Sequence, residues 1–328
     1  MKTKKRFTIF VSRIIVLCIF AIPVKAISAT LYVATNGTSP NDGSSWDYAF
    51  TTIQAAINAA SAGDIIIVGS SGTGHGDGTY TENVNVTKRL NIKSESGYEY
   101  TTVVASNTYD YVFEVQADSV TIGGEGCGFS IYGATERPYA GVYLSGRTGC
   151  TIQGNRCGWD SYHRSSYGIY VDHSSNNTLT GNTCNSNLYY GICLASSSNN
   201  TLTGNICSSN LDYGIYMESS SNNTLTGNTC NSNSDYGIYL YSSSSSNTLT
   251  GNTCNSNLYY GIYLKSSSNN TIYLNNFSNT SNVYSQNSTN TWCSPTTIYY
   301  DYTSGSFHKN FLGNYYSDYS SSGQDPDG

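Results

Sequence analysis

NTLTGNTCNSNLYYGI runs from Asn177 to Ile192 and recurs unchanged from Asn247 to Ile262. Between the two copies lie NTLTGNICSSNLDYGI (200–215) and NTLTGNTCNSNSDYGI (223–238). Gly-Ile falls at Gly168, Gly191, Gly214, Gly237 and Gly261, in steps of 23, 23, 23 and 24. Gly-Asn keeps the same beat at Gly181, Gly204, Gly227 and Gly251. A fixed period of this length marks one structural unit copied and stacked.

Each copy holds two short stretches that alternate apolar and polar residues, separated by Gly, Asn and Ser. Period two predicts strands rather than helix. The inward set of Thr-Leu-Thr is Leu179, Leu202, Leu225, Leu249 and Ile272; that of Gly-Ile-Tyr-Leu begins at Ile169 and Val171 and ends at Ile262 and Leu264. One copy cannot bury so few residues, whereas stacked coils bury them continuously. The leucine-rich repeat has a similar length, but its Leu-x-x-Leu-x-Leu pattern and helical segment are missing. The expected fold is all-β: a single-stranded, right-handed parallel β-helix. Asn182, Asn205, Asn228 and Asn252 then stack at a corner that needs left-handed backbone, which Asn tolerates, and their amides form ladders.

The expected division is a signal peptide over 1–26, an N-terminal cap and irregular first coils over 27–110, regular repeats over 111–275, and a terminal coil and cap over 276–328. The leader reads MKTKKRF, a short apolar run and Val24-x-Ala26, the pattern of a secretory signal. The apolar run is too short to span a bilayer. Secretion, a periplasm or a cell surface follows. In TTIQAAINAA (51–60), Ile53, Ala56, Ile57 and Ala60 share a helical face that would cap the first coil. Trp292 and the aromatics from Tyr299 to Tyr319 would close the other end.

Six of the fifteen basic residues and none of the 21 acidic ones lie in the leader, so the exported part is strongly acidic. That excludes nucleic acid and anionic membrane as natural partners. Stacking places Tyr143, Tyr170, Tyr216, Tyr239 and Tyr263 in one outward column interrupted by Cys193, with Asp172, Glu218, Tyr241 and Lys265 beside it. Such a stripe suits an extended polysaccharide whose C–H faces lie on rings; stacked tyrosines also stabilise a parallel sheet without any ligand.

Catalysis on an acidic polysaccharide needs a base, an acid and a cation near one bond. The segment CGWDSYHRSSYG (157–168) lengthens its coil by four residues and supplies Asp160, His163 and Arg164, with Asp172 and His173 about a coil away. These five are the candidate catalytic set. No Asp-Asp dipeptide occurs, and Gly74-His75-Gly76 sits in an N-terminal loop without evident carboxylate partners. Cys157, Cys184, Cys207, Cys230 and Cys254 occupy one position per coil. They read as buried filler; parallel Cβ vectors suit disulfides poorly, and no His or Met interleaves to complete a soft-metal site. Nine sequons of the form Asn-x-Ser/Thr occur, at Asn36, Asn85, Asn176, Asn199, Asn222, Asn269, Asn276, Asn279 and Asn287, and many arise from the Asn/Ser/Thr-rich turns by composition alone. Asp325 and Asp327 offer oxygen ligands that begin, but do not complete, a Ca²⁺ loop.

The repeats, the stretch LYVATNGTSPNDGSSWDYAFTTIQAAINAASAGDIIIV (31–68) and the tail NTWCSPTTIYYDYTSGSFHKNFLGNYYSDY (290–319) resemble NosD-like secreted β-helix proteins of the pectin-lyase-like class. The resemblance implies carbohydrate-binding and sugar-hydrolysis repeats at the envelope and an association with copper. The expected role is binding of an extended envelope glycan; the alternatives are a polysaccharide lyase, epimerase or hydrolase, and a purely structural surface protein.

Overall fold

A copied coil folds only if each copy satisfies the one above it, and the computed structural model, which describes residues 28–301 and 307–317, is built on that rule. The chain winds into about nine turns of right-handed parallel β-helix. Thr-Leu-Thr strands form a ten-stranded sheet from Thr30–Val33 to Thr271–Tyr273, and Gly-Ile-Tyr-Leu strands a nine-stranded sheet from Val84–Val86 to Ser281–Gln286. A narrower third face starts at Thr79–Thr81 and runs to Arg156–Cys157. It continues through single bridges at Thr183, Ile206 and Thr229 to Thr253–Asn255. Like pairs with like: Leu179↔Leu202, Leu202↔Leu225, Leu225↔Leu249 and Leu249↔Ile272. These side chains are fully buried in one continuous core.

The glycine of Gly-Ile is there for space. A Cβ at Gly191 would stand 2.7 Å from the Gly214 carbonyl oxygen and 2.8 Å from Cβ of Cys207. Gly168, Gly214 and Gly237 face equivalent obstacles. Cysteine, small and apolar, fills the facing column without a void.

Each regular coil turns at four corners, each built from a left-handed residue followed by a buried polar one. The pairs in one coil are Asn176-Asn177, Gly181-Asn182, Ser186-Asn187 and Ser196-Ser197, the first of each at φ between 48° and 60°. This corrects one expectation: Gly181, not Asn182, takes the left-handed conformation, which frees Asn182 to point inward. Asn155, Asn182, Asn205, Asn228, Asn252, Asn275 and Asn314 then form a ladder, each Nδ2 donating to the next Oδ1 at 2.8–3.2 Å. Two more asparagine ladders rise from Asn177 and Asn187, and a serine ladder rises from Ser174. Buried amides are costly unless paired, and stacking pairs them.

The helix Ile53–Ala59 covers the first coils with Ile53, Ala56 and Ile57 buried. Glu82 accepts hydrogen bonds from the amides of Ile53 and Gln54, and the Lys88 ammonium donates to the carbonyls of Ile57, Asn58 and Ala60. Both helix ends are thus satisfied. At the far end, Trp292 and Tyr316 pack against the core, whereas Tyr299, Phe311 and Tyr315 stay exposed. The aromatic tail is therefore only partly a plug. The leader (1–26), Asp325 and Asp327, Tyr302 and Tyr319 lie outside the described residues.

Candidate binding face

The outward side of the nine-stranded sheet carries not one tyrosine column but two. Register stacks Tyr143 on Tyr170, Tyr216 on Tyr239 and Tyr239 on Tyr263, with Cys193 between Tyr170 and Tyr216. Beside it, Tyr167, Tyr190, Tyr213, Tyr236 and Tyr260 form a second column. Strict alternation would put Tyr167 on the same side as Ile169. The strand breaks its pairing at the intervening glycine, and both tyrosines face out. The clue available in the sequence was the invariable Tyr before Gly-Ile.

Ring geometry alters what the face can do. Tyr167–Tyr190, Tyr190–Tyr213 and Tyr213–Tyr236 stack at 4.9, 5.0 and 5.1 Å with interplanar angles of 5°, 9° and 5°. Their faces are used against one another, like plates on edge. In the first column Tyr216–Tyr239 is tilted by 46° and Tyr239–Tyr263 stacked at 4.8 Å. Tyr167, Tyr190 and Tyr239 are buried among their neighbours, so solvent meets only the half-buried tyrosines, such as Tyr170, Tyr213, Tyr216, Tyr236, Tyr260 and Tyr263. Asp172, Ala195, Glu218, Tyr241 and Lys265 flank them in successive registers. Burial raises the phenols of Tyr170, Tyr213, Tyr216 and Tyr239, and that of Tyr236 to about 12, so these hydroxyls stay protonated donors at neutral pH. Asp212 and Asp235 follow one another on successive coils at the edge of this plate; burial raises both, and Asp235 raises Asp212 further.

Four of the five candidate catalytic residues form two pairs, and Arg164 stands apart from both. His163 Nδ1 lies 3.0 Å from Asp160, whose Oδ1 also accepts the amides of Tyr162 and His163. His173 Nδ1 lies 2.7 Å from Asp172 Oδ1, and Tyr143 donates to Oδ2 at 3.3 Å. One pair precedes the strand Tyr167–Asp172 and the other closes it, so they sit at opposite ends, roughly 15 Å apart at ~3.3 Å per residue. The backbone carbonyl of Arg164 accepts from Gly133, and the residue is half-buried. Gly74-His75-Gly76 does have a carboxylate partner, Glu95 at 2.9 Å from His75, and the imidazole stacks on Trp46 at 3.8 Å.

A concave site lies elsewhere. A groove of about 390 Å³ at the corner between the ten-stranded sheet and the third face is lined by Tyr98, Glu99, Glu125, Gln153 and Thr180. At its margin the Arg156 guanidinium sits between Tyr98 and Trp159, 5.0 and 4.2 Å from the ring centres. Trp159 in turn stacks on His163 at 4.5 Å, so one of the two predicted pairs adjoins the groove. Glu99, Glu125 and Arg156 come from three different coils, and no local sequence pattern links them.

The solenoid defines a parallel β-helix protein, and comparison supports the class. The family described as periplasmic copper-binding protein (NosD) matches residues 57–321, and the chain belongs to that family. A cell surface glycoprotein of Methanothermus fervidus is 35% identical over 121 residues, which make up 34% of this chain and 17% of the relative's length. Pectate lyase Pel9A superposes with a TM-score of 0.56 at 17% identity, covering 80% of this chain and 79% of the lyase. The Dettilon tailspike protein gives 0.58 at 15% identity, covering 76% of this chain and half of the tailspike. At such identities the two structures establish the fold alone.

The family description raises copper, and the residues do not fit it. Among the described residues no three His, Cys, Asp or Glu side chains gather into a metal-holding group. The column cysteines are unpaired and fully buried. Burial pushes Cys184, Cys207 and Cys254 well above the ordinary thiol range; against the same burial, hydrogen bonds from Cys207 and Cys254 draw Cys230 down to about 5, and one thiolate among neutral thiols is not a copper(I) ligand set.

Proposed function

We propose that this protein is exported and binds an extended polysaccharide of the cell envelope along the outer tyrosine face. The observation that carries the reading is the pair of tyrosine columns, one unbroken from Tyr167 to Tyr260 and half-exposed from Tyr213 onward, the other interrupted at Cys193, with Asp172, Glu218 and Lys265 in the flanking row. Coils repeat every ~4.8 Å, so the hydroxyls form a regular comb that a polymer of repeating hydroxyls can follow. Recognition rests on ring edges, hydroxyls and carboxylates rather than on sugar faces lying flat on rings, because the ring faces are occupied by one another.

A second reading, a polysaccharide-cleaving enzyme, is favoured by the groove. Glu99 and Glu125 supply the two carboxylates that glycoside hydrolysis requires, with Tyr98 and Arg156 at the rim. The Asp160–His163 pair belongs to this reading through Trp159; Asp172 and His173 belong to the binding face.

One panel of neutral and acidic polysaccharides tests both. Binding predicts retention that falls at least tenfold in the double variant Tyr216→Ala, Glu218→Gln, with the fold intact by circular dichroism. Unchanged retention removes the tyrosine face from consideration. Cleavage predicts new reducing ends or unsaturated products, lost in Glu125→Gln; intact activity in that variant counts against the groove.

A further inference from the structure

Four sequons fall at one corner of the solenoid, and the fold sorts them from the rest. Asn176, Asn199, Asn222 and Asn269 are exposed, each in left-handed backbone at φ 58–63°. Their immediate successors, Asn177, Asn200, Asn223 and Asn270, are buried ladder members. The third residues, Thr178, Thr201, Thr224 and Thr271, stand on the outward side of the ten-stranded sheet. The side-chain amides of Asn199, Asn222 and Asn269 make no hydrogen bond to the described residues, and that of Asn176 makes one long, exposed contact, 3.5 Å to the Thr148 hydroxyl, so substitution at Nδ2 disturbs little. The other sequons stand elsewhere. Asn279 uses Nδ2 on the Cys254 carbonyl within a ladder, Asn36 uses its own on Gly74, and Asn85 and Asn276 lie within strands. Asn287 is also exposed and left-handed, at φ 51°, but it occupies a different corner, the one Ser266 takes on the preceding coil.

The corner residues stack directly. Backbone hydrogen bonds join Asn176 to Ser198, Asn199 to Ser221, Asn222 to Ser245, Ser246 to Ser268 and Asn269 to Thr289. Acceptor asparagines on neighbouring coils are therefore ~4.8 Å apart at the backbone, too close for two bulky glycans to leave the same surface. On alternate coils the spacing doubles. The coil between Asn222 and Asn269 carries Ser246, which breaks the sequon, and the coil before Asn176 carries Gly149.

We infer that this corner is an N-glycosylation comb occupied on alternate coils, Asn176, Asn222 and Asn269 being the set that seats three glycans. The donor class is an oligosaccharide carried on a lipid phosphate. Nδ2 bonds to the sugar C1, the C1–O bond to phosphate breaks, the lipid phosphate leaves, and the amide releases one proton. The inference does not depend on which glycan, if any, the tyrosine face binds.

The chain makes the test direct, because Lys and Arg are absent between Arg164 and Lys265. A single tryptic peptide, Ser165–Lys265, therefore carries Asn176, Asn199 and Asn222 together. The full chain is secreted from cells whose N-glycosylation is verified on a reporter glycoprotein, and this peptide is mapped by mass spectrometry. Expected are at most two glycans per peptide, at Asn176 and Asn222, with Asn199 never occupied beside either. In the variant Asn176→Gln, Asn222→Gln, the glycan should move to Asn199. Three glycans on one peptide, none at all, or a double variant still bare at Asn199 would each overturn the inference.

Discussion

Asn205 shows how much one repeated residue carries. Its Oδ1 accepts from both the backbone amide and the Nδ2 of Asn182; its Nδ2 donates to the Leu179 carbonyl and to Asn228. In Asn205→Ala the amide of Asn182 and the carbonyl of Leu179 lose buried partners. At ~1–3 kcal/mol for each unsatisfied group, the variant should lose about 2–6 kcal/mol, read as a lower denaturant midpoint. An exposed turn residue such as Ser209, changed to Gly, should shift the midpoint little. Gly-Asn in the sequence pointed to this ladder. That the asparagine faces inward, with the preceding residue taking the left-handed turn, was not legible, since both residue types tolerate such backbone. The rule extends to unlike residues: Leu274 takes the left-handed position before Asn275, and Gly313-Asn314 in the tail completes the ladder after a gap of 39 residues.

At the scale of the element, the tyrosine strand is where the pattern misled. Alternation correctly placed Ile169, Val171 and Tyr170, but it fails across Gly168, where close packing interrupts the pairing and lets Tyr167 face out. The edge of the same sheet carries a pH response. Asp212 and Asp235 have raised values in the fold, mainly through burial, so the native chain holds these protons more tightly than the unfolded chain. Between the ordinary carboxylate value and the raised one, the native state binds more protons, and stability falls as pH rises through that window. Above it the destabilisation is complete. Asp212→Asn should therefore raise the melting midpoint at pH 7 by about a degree or two and leave it unchanged near pH 3. A lower midpoint at pH 7 would contradict the sign.

Over the whole molecule, stacking seals the axis. Cys157, Cys184, Cys207, Cys230 and Cys254 lie wholly inside, whereas Cys127 and Cys293 are half-exposed. A bulky thiol reagent should label Cys127 and Cys293 in native protein within minutes and reach the five column thiols only on unfolding. Native labelling of Cys207 would mean that the coils open locally. Each coil touches only its neighbours, so loss of a central side chain such as Leu225 to Ala should cost about 2–5 kcal/mol and weaken the adjoining coils first.

The amino-acid sequence alone determined the repeat, its register and hence the solenoid, because a period of 23 with like residues in step leaves few ways to bury Leu179 and its copies. It also determined the capping helix over Ile53–Ala59, whose apolar positions share one face. Tertiary structure alone decided the rest. Glu99, Glu125 and Arg156 meet around one groove, Asp160 and Asp172 part company, and tyrosine ring faces are spent on each other. Asn176 stays exposed while its neighbour Asn177 vanishes into a ladder. These outcomes depend on where corners fall around each coil, a property of three-dimensional winding that spacing along the chain does not encode.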